Sequence, residues 1–168
     1  MVETVVAFFK EYLTSEMIVF IVSLMPILEL RGGLVAASLL GLPWMKAASI
    51  AVIGNLLPVP FIVFFIEKIL EYLAKHGPIK NLARTMMKKG RSKGLELQNR
   101  YPNSILLGLF LFVGIPLPGT GAWTGSLIAA FLGVKPKNAL WPIALGVLLA
   151  CLIMSVLSYA LPGAFGLK

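Results

Sequence analysis

The sequence predicts an all-α integral membrane protein: an inverted repeat of two re-entrant helical hairpins, each followed by a transmembrane helix, with an interfacial helix at the amino end. The first observation is composition. Hydrophobic residues make up 58% of the 168 residues and charged residues 13%, whereas soluble domains average about 45–50% apolar and about 25% charged residues. The second is that proline and glycine interrupt two of the apolar segments, and the third is that both halves share this order of features. The length suits one membrane domain over 1–168.

The first half of the chain contains three predicted elements. Residues 1–15 carry apolar side chains at helical spacing, which predicts an amphipathic helix lying at the membrane surface. Residues 17–40 are apolar except for ELRGG at 29–33, so we predict a re-entrant hairpin broken at Pro26, Gly32 and Gly33. Residues 44–74 form a long apolar segment, and we predict a transmembrane helix there.

A basic segment at 75–103 separates the two halves. It contains eight lysines and arginines and one acidic residue, Glu96. The excess of basic residues predicts a cytoplasmic location. Ile79, Leu82 and Met86 recur at helical spacing, which fits a basic interfacial helix on anionic lipid, although a plain solvated loop fits as well. With one aromatic residue, Tyr101, the segment does not favour nucleic-acid binding.

The second half repeats the order of the first. Residues 104–133 form a second predicted re-entrant hairpin, broken at Pro116 and Pro118, where proline removes backbone donors and ends a helix. Residues 139–161 read as an ordinary transmembrane helix. The single cysteine, Cys151, lies within this apolar run and predicts no disulfide and no thiolate metal site.

A shift of 92 residues aligns the two halves, placing Pro26 on Pro118 and Gly54 on Gly146. If both broken segments crossed the membrane, Lys135 and Lys137 would lie on the face opposite the basic segment. If instead each broken segment enters and leaves on one side, both basic loops are cytoplasmic. The predicted topology is therefore a multi-pass protein of the plasma membrane, with segment 75–103 cytoplasmic, both termini outside, and hairpins entering from opposite faces.

Two hairpin tips that enter from opposite faces meet near the midplane, as in many secondary transporters. Arg31 supplies a bidentate donor suited to phosphate or carboxylate. Glu29 is an intramembrane carboxylate of the kind that couples transport to protons. Gly119, Thr120 and Gly121 are expected to leave backbone amides free at the start of a half-helix, where anions bind. These residues form the predicted substrate and coupling site.

The same residues also fit plainer roles. The acid and the arginine of the first break can neutralise each other, and the glycines can serve close helix packing. Asn55 can line the substrate path or bond across helices. Thr120 and Thr124 can contact substrate or cap helices, and Trp123 can stack on substrate or fill the core.

The stretches PILELRGG and GIPLPGTGAWTG resemble the signatures of the small multidrug export protein family, and the resemblance covers nearly the whole chain. That family is distantly similar in layout to the DedA (VTT-domain) superfamily. The resemblance implies paired re-entrant hairpins and movement of lipid carriers such as undecaprenyl phosphate between leaflets. It also implies an acid and an arginine at a hairpin tip, here Glu29 and Arg31. The second stretch lacks the arginines that the DedA pattern places there.

The predicted function is thus a small DedA-like membrane transporter of an amphipathic, anionic, lipid-phosphate-like substrate, with proton coupling as an option. Export of cationic drugs and a non-transporting membrane scaffold are the alternatives. No catalytic residue, metal ligand or cofactor is predicted, because the sole histidine is His76 and no paired carboxylates occur. The expected partners are the lipid bilayer, anionic lipid at the basic segment, and a second copy of the chain, since so small a domain encloses little space.

Overall fold

The computed structural model describes residues 13–75, 80–101 and 104–160. Within these ranges the chain forms helices and turns and no strand. The predicted surface helix at 1–15 falls almost wholly outside them. The helices are α1 (Ser15–Leu24), α2 (Glu29–Leu39), α3 (Trp44–Leu56), α4 (Pro58–Lys75), α5 (Lys80–Arg100), α6 (Ile105–Gly114), α7 (Ala122–Phe131) and α8 (Pro136–Ser155), which continues as a π-helical turn at Val156–Ala160.

Two helices are long and apolar enough to cross a membrane, over Trp44–Ile66 and Pro136–Ala160. The first runs through α3 into α4, with only Leu57 between them. Pro58 begins α4, where the missing proline N–H costs little. The all-α class and the two membrane-spanning candidates predicted from the sequence are therefore confirmed.

The segment at 17–40 is divided into two short helices that pack against each other. The Thr14 hydroxyl caps α1 by accepting the Met17 N–H, and α1 ends at a turn over residues 25–28 that includes Pro26. At 1.5 Å per residue each helix is about 15 Å long, roughly half of a hydrocarbon core of about 30 Å. Neither α1 nor α2 is long enough to span a bilayer alone.

The sequence predicts a break at Gly32 and Gly33, and this prediction is wrong. Both lie inside α2 and are buried there. A Cβ on Gly33 would overlap the Ser23 hydroxyl, and one on Gly32 would lie 2.7 Å from the Leu28 Cβ. The two glycines therefore serve close helix packing: they let α2 lie close to α1 and to the turn at residues 25–28 that precedes α2.

The basic segment is helical and packs on the rest of the fold. Along α5 the buried positions are small or apolar and include Gly90 and Gly94. Gly90 faces the ring of Phe131 and Gly94 faces Leu132. A freely solvated loop is therefore wrong for this segment, because one face of α5 lies against the end of α7.

Equivalent contacts recur in the two halves. A Cβ on Gly54 in α3 would lie 2.9 Å from the Phe20 carbonyl oxygen in α1. A Cβ on Gly146 in α8 would lie 2.8 Å from the Phe110 carbonyl oxygen in α6. In each half, glycine thus brings the long helix against the backbone of the first short helix.

Three contacts define one end of the molecule. Glu16 at the start of α1 forms a salt bridge of 2.6 Å with Lys46 at the start of α3. The Ser38 hydroxyl near the end of α2 donates to the Ser158 carbonyl oxygen at 2.7 Å. The Tyr159 hydroxyl donates to the Leu42 carbonyl oxygen at 3.2 Å. Because α3 begins where α8 and its π-helical turn finish, the two long helices run antiparallel.

Candidate functional site

The turn between α1 and α2 meets the segment between α6 and α7. We call these the first break, residues 25–28, and the second break, residues 115–121. A cavity of about 300 Å³ lies between them, and we call it the break cavity. Its lining residues come from both breaks and from the first turns of α2 and α7: Pro26, Ile27, Leu28, Glu29, Arg31, Pro118, Gly119, Thr120 and Thr124.

Glu29 joins the first break to the start of α7. It is 5% exposed, and its two carboxylate oxygens accept the backbone N–H groups of Ala122 at 3.0 Å and Trp123 at 3.1 Å. Amides in the first turn of a helix have no intrahelical partner, and the positive end of the helix dipole lies there. Glu29 therefore caps α7 from a distant part of the chain.

The backbone of Glu29 has φ +51°, a left-handed conformation that is uncommon for a residue with a side chain. Conformations of this kind cost free energy, and they persist where surrounding contacts hold them. Here the hydrogen bonds from two backbone N–H groups of α7 hold the Glu29 side chain.

Gly121 provides the space for the Glu29 carboxylate. A Cβ at Gly121 would overlap the carboxylate oxygens and would lie 2.6 Å from the carboxyl carbon. Its backbone has φ +135° and ψ −175°, a region that is essentially limited to glycine. The cap therefore needs glycine at 121 for two independent reasons.

Arg31 binds the second break through its guanidinium group. It donates to the Leu117 carbonyl oxygen at 2.6 Å, to the Thr120 hydroxyl oxygen at 2.7 Å and to the Ile115 carbonyl oxygen at 3.4 Å. Carbonyl groups at a helix end and in an irregular segment lack helical partners. Arg31 supplies some of those partners and holds the second break in shape.

Thr120 completes the polar interior of the second break. Its hydroxyl oxygen accepts the Leu117 N–H at 3.2 Å and lies 2.8 Å from the Leu117 carbonyl oxygen and 3.0 Å from that of Ile115. The cap of α7 is Glu29, so Thr120 contacts Arg31 and its own segment instead of capping that helix.

The predicted site residues thus come together, but their contacts differ from those expected. No ion pair joins Glu29 to Arg31 in the part of the chain that the structure describes. Instead, Glu29 binds the start of α7 and Arg31 binds the second break. The α7 amides that attract an anion belong to Ala122 and Trp123 rather than to 119–121, and Glu29 already occupies them.

Two other predicted residues lie differently. The Trp123 indole N–H donates to the Leu24 carbonyl oxygen at 3.2 Å, so the side chain holds α7 to the end of α1. Asn55 is 2% exposed in α3 and is not among the residues that line the break cavity. Its Oδ1 has no hydrogen-bond partner among the described residues.

The sequence does not predict the contribution of α5 or of backbone groups to the site. The Lys93 ammonium group donates to the Gly119 carbonyl oxygen at 3.3 Å, which brings the basic helix to the second break. One indication was available: the shift that aligns the two halves places Glu29 on Gly121.

Comparison with known proteins gives one family. A family model described as "putative small multi-drug export protein" matches residues 29–153, a region that begins at Glu29 and includes the second break. No match was found among curated proteins or among solved structures. Within the described ranges, no group of three histidine, cysteine, aspartate or glutamate side chains could hold a metal ion.

Proposed function

Because the chain belongs to the small multi-drug export protein family, we propose that it is a membrane transporter whose amphipathic, anionic substrate passes between the two breaks. The family and the two long apolar helices make it a membrane protein. One observation carries the proposal: a buried carboxylate from one break occupies the anion-binding start of the helix that follows the other.

The proposed architecture is a re-entrant hairpin in each half. For the first half, the Glu16–Lys46 salt bridge supports it, because α1 starts at the end of the molecule where α3 starts. The chain therefore returns to the same end after α1 and α2. Polar backbone at membrane depth is tolerated where protein or a wet cavity satisfies it, and Glu29 and Arg31 do this at the breaks.

The two halves are proposed to be an inverted repeat. Corresponding helices begin about 92 residues apart, and α3 and α8 run antiparallel. The matching close contacts at Gly54 and Gly146 support the same relation. So does the contact between Glu29 and its repeat partner Gly121.

In the proposed mechanism the Glu29 carboxylate takes the place of a substrate anion. When Glu29 is protonated, its carboxyl group is a poorer acceptor for the Ala122 and Trp123 amides. Those amides, with Arg31 beside them, then become available to a phosphate or carboxylate in the break cavity. Exchange between the internal carboxylate and the substrate would couple proton movement to anion movement.

Two other functions compete with anion transport. A cationic drug would need Glu29 as its counter-ion, but both carboxylate oxygens already accept backbone amides. A structural role for Glu29 and Arg31 is favoured by the fact that their side-chain hydrogen bonds go to the second break and to the start of α7. A transport measurement distinguishes these alternatives.

We expect proteoliposomes that contain the protein to move a labelled polyprenyl phosphate between leaflets, and Arg31→Lys to reduce the rate by about tenfold to a hundredfold. Lysine keeps the charge but loses the planar pair of donors, and the loss of charge-assisted hydrogen bonding worth about 1.5–2.8 kcal/mol corresponds to that range. The assay is dithionite quenching of the outer-leaflet label.

Lys137→Gln, a change at an exposed lysine far from the breaks along the chain, is the matched control and should retain the wild-type rate. Full activity of Arg31→Lys on the phosphate lipid would contradict the anionic substrate. Movement of a cationic dye without movement of the lipid would favour the drug-export alternative.

Labelling from outside the cell tests the proposed topology. In intact cells we expect Met45→Cys to react with a membrane-impermeant maleimide and Lys137→Cys to react only after permeabilisation, because basic loops remain cytoplasmic. Both side chains are exposed. The wild-type chain is the control for background, since its one cysteine, Cys151, is buried. Labelling of position 137 in intact cells would exclude the inverted topology.

A further inference from the structure

A second cavity also borders the second break, and Glu29 is not among its lining residues. It has a volume of about 260 Å³ and runs between the C-terminal half of α5 and helix α6. Lys93, Glu96 and Arg100 line it from α5, and Leu111, Phe112 and Ile115 line it from α6 and its end. We call it the α5 groove.

One wall of the α5 groove is cationic. The Lys93 ammonium group lies 5.8 Å from the centroid of the Phe112 ring and makes one long hydrogen bond, of 3.3 Å, to Gly119. Arg100 is exposed seven residues further along the same face. Glu96 is the acidic residue among the lining side chains, so this wall carries two positive charges and one negative charge.

The opposite wall is apolar and accessible. Leu111 and Phe112 are half-buried, and Ile115 is 42% exposed. Leu117 in the second break continues this wall and is 56% exposed. A ligand that matches both walls has an anionic head and an apolar tail, which is the chemistry of an anionic phospholipid.

The surroundings agree with a lipid ligand. Helix α5 carries seven lysines and arginines and one acidic residue, and such helices bind anionic leaflets. The groove differs from a diffuse basic surface because it places two of these charges beside an apolar wall. The lipid thus has a defined position for its headgroup and one for its chain.

We propose that the α5 groove binds one anionic phospholipid, with its phosphate between Lys93 and Arg100 and an acyl chain along Leu111, Phe112 and Ile115. This groove shares Pro118 and Thr120 with the break cavity, but its charged lining residues, Lys93, Glu96 and Arg100, come from α5. It does not require that the chain transports the same lipid.

Native mass spectrometry of the purified protein tests this site. The protein is equilibrated in detergent with equimolar phosphatidylglycerol and phosphatidylcholine, and the retained lipid is counted. The wild-type chain is expected to retain one phosphatidylglycerol in preference to phosphatidylcholine. Removing both charges with Lys93→Gln and Arg100→Gln is expected to weaken this retention by about 25-fold, or about fivefold per charge.

The matched control removes two charges from the same helix outside the groove, with Lys88→Gln and Lys89→Gln. It should retain the lipid as the wild-type chain does. Equal loss in both double variants would overturn the proposal in favour of diffuse attraction, as would equal retention of the two lipids. Displacement by added glycerol 3-phosphate would assign the site to a free phosphate instead.

The outcome is independent of the transport proposal. Glu29→Gln changes the break cavity at a residue that does not line the α5 groove, so it should leave lipid retention unchanged even if it stops transport. Circular dichroism of each variant checks that helix content is kept.

Discussion

Gly121→Ala is expected to stop transport and to destabilise the fold by roughly 3 kcal/mol or more. The added Cβ would overlap the Glu29 carboxylate, and the φ of +135° is a conformation that alanine rarely adopts. Either α7 or the first break must therefore move, and the hydrogen bonds from the α7 backbone N–H groups to Glu29 would be lost. Thermal unfolding in detergent should show a fall in Tm of roughly 6–12 °C.

Gly133→Ala is the matched control for Gly121→Ala. Gly133 also has a positive φ, of +66°, but nothing lies within 4 Å of a Cβ placed there. Its substitution should cost only backbone strain, about 1–2 kcal/mol, and should leave transport intact. Equal losses of stability and activity in the two variants would show that the contact between Glu29 and Gly121 contributes nothing beyond strain.

Glu29→Gln is expected to abolish transport driven by a proton gradient while the chain still folds. Glutamine keeps the shape of the side chain and one acceptor oxygen, so one of the two α7 amides keeps its partner. The other amide would face an NH₂ donor, and an unsatisfied buried donor costs about 1–3 kcal/mol. Glutamine also cannot bind and release a proton.

Anion binding is also expected to depend on pH, because the Glu29 carboxylate and the substrate anion exchange at the same α7 amides. Lower pH populates the protonated form of Glu29, which frees the α7 amides, so anion binding by the wild-type chain should increase as pH falls. The Glu29→Gln variant should bind without pH dependence across the same range. Titrating the fluorescence of Trp123 with a phosphate amphiphile would measure both, with Trp44 and Trp141 replaced by phenylalanine.

Glu16→Gln is the matched control, because Glu16 is an acid of the same chain whose partner, Lys46, lies at the surface. Exposed ion pairs contribute little to stability, so stability and transport should stay close to wild type. If Glu29→Gln transports as well as Glu16→Gln, Glu29 serves only as a helix cap, and proton coupling through Glu29 is excluded.

The class of protein and the positions of its main elements can be predicted from residue types and their order. High apolar content excludes a soluble domain, and long apolar runs locate the two membrane-spanning candidates. Pro26, Pro116 and Pro118 were predicted at breaks, and all three lie in the segments between short helices. These features are local, because hydropathy and the missing proline N–H act within a few residues along the chain.

The partners of Glu29 and Arg31 depend on how the chain folds in three dimensions. Their partners lie 84 to 94 residues away along the chain, and most are backbone N–H and C=O groups, which every residue type except proline supplies alike. Packing likewise decided that Gly32 and Gly33 lie within α2 and that α5 rests on α7. Residue types indicated a carboxylate and a guanidinium near a break, and the contact between the two halves gave each of them its partner.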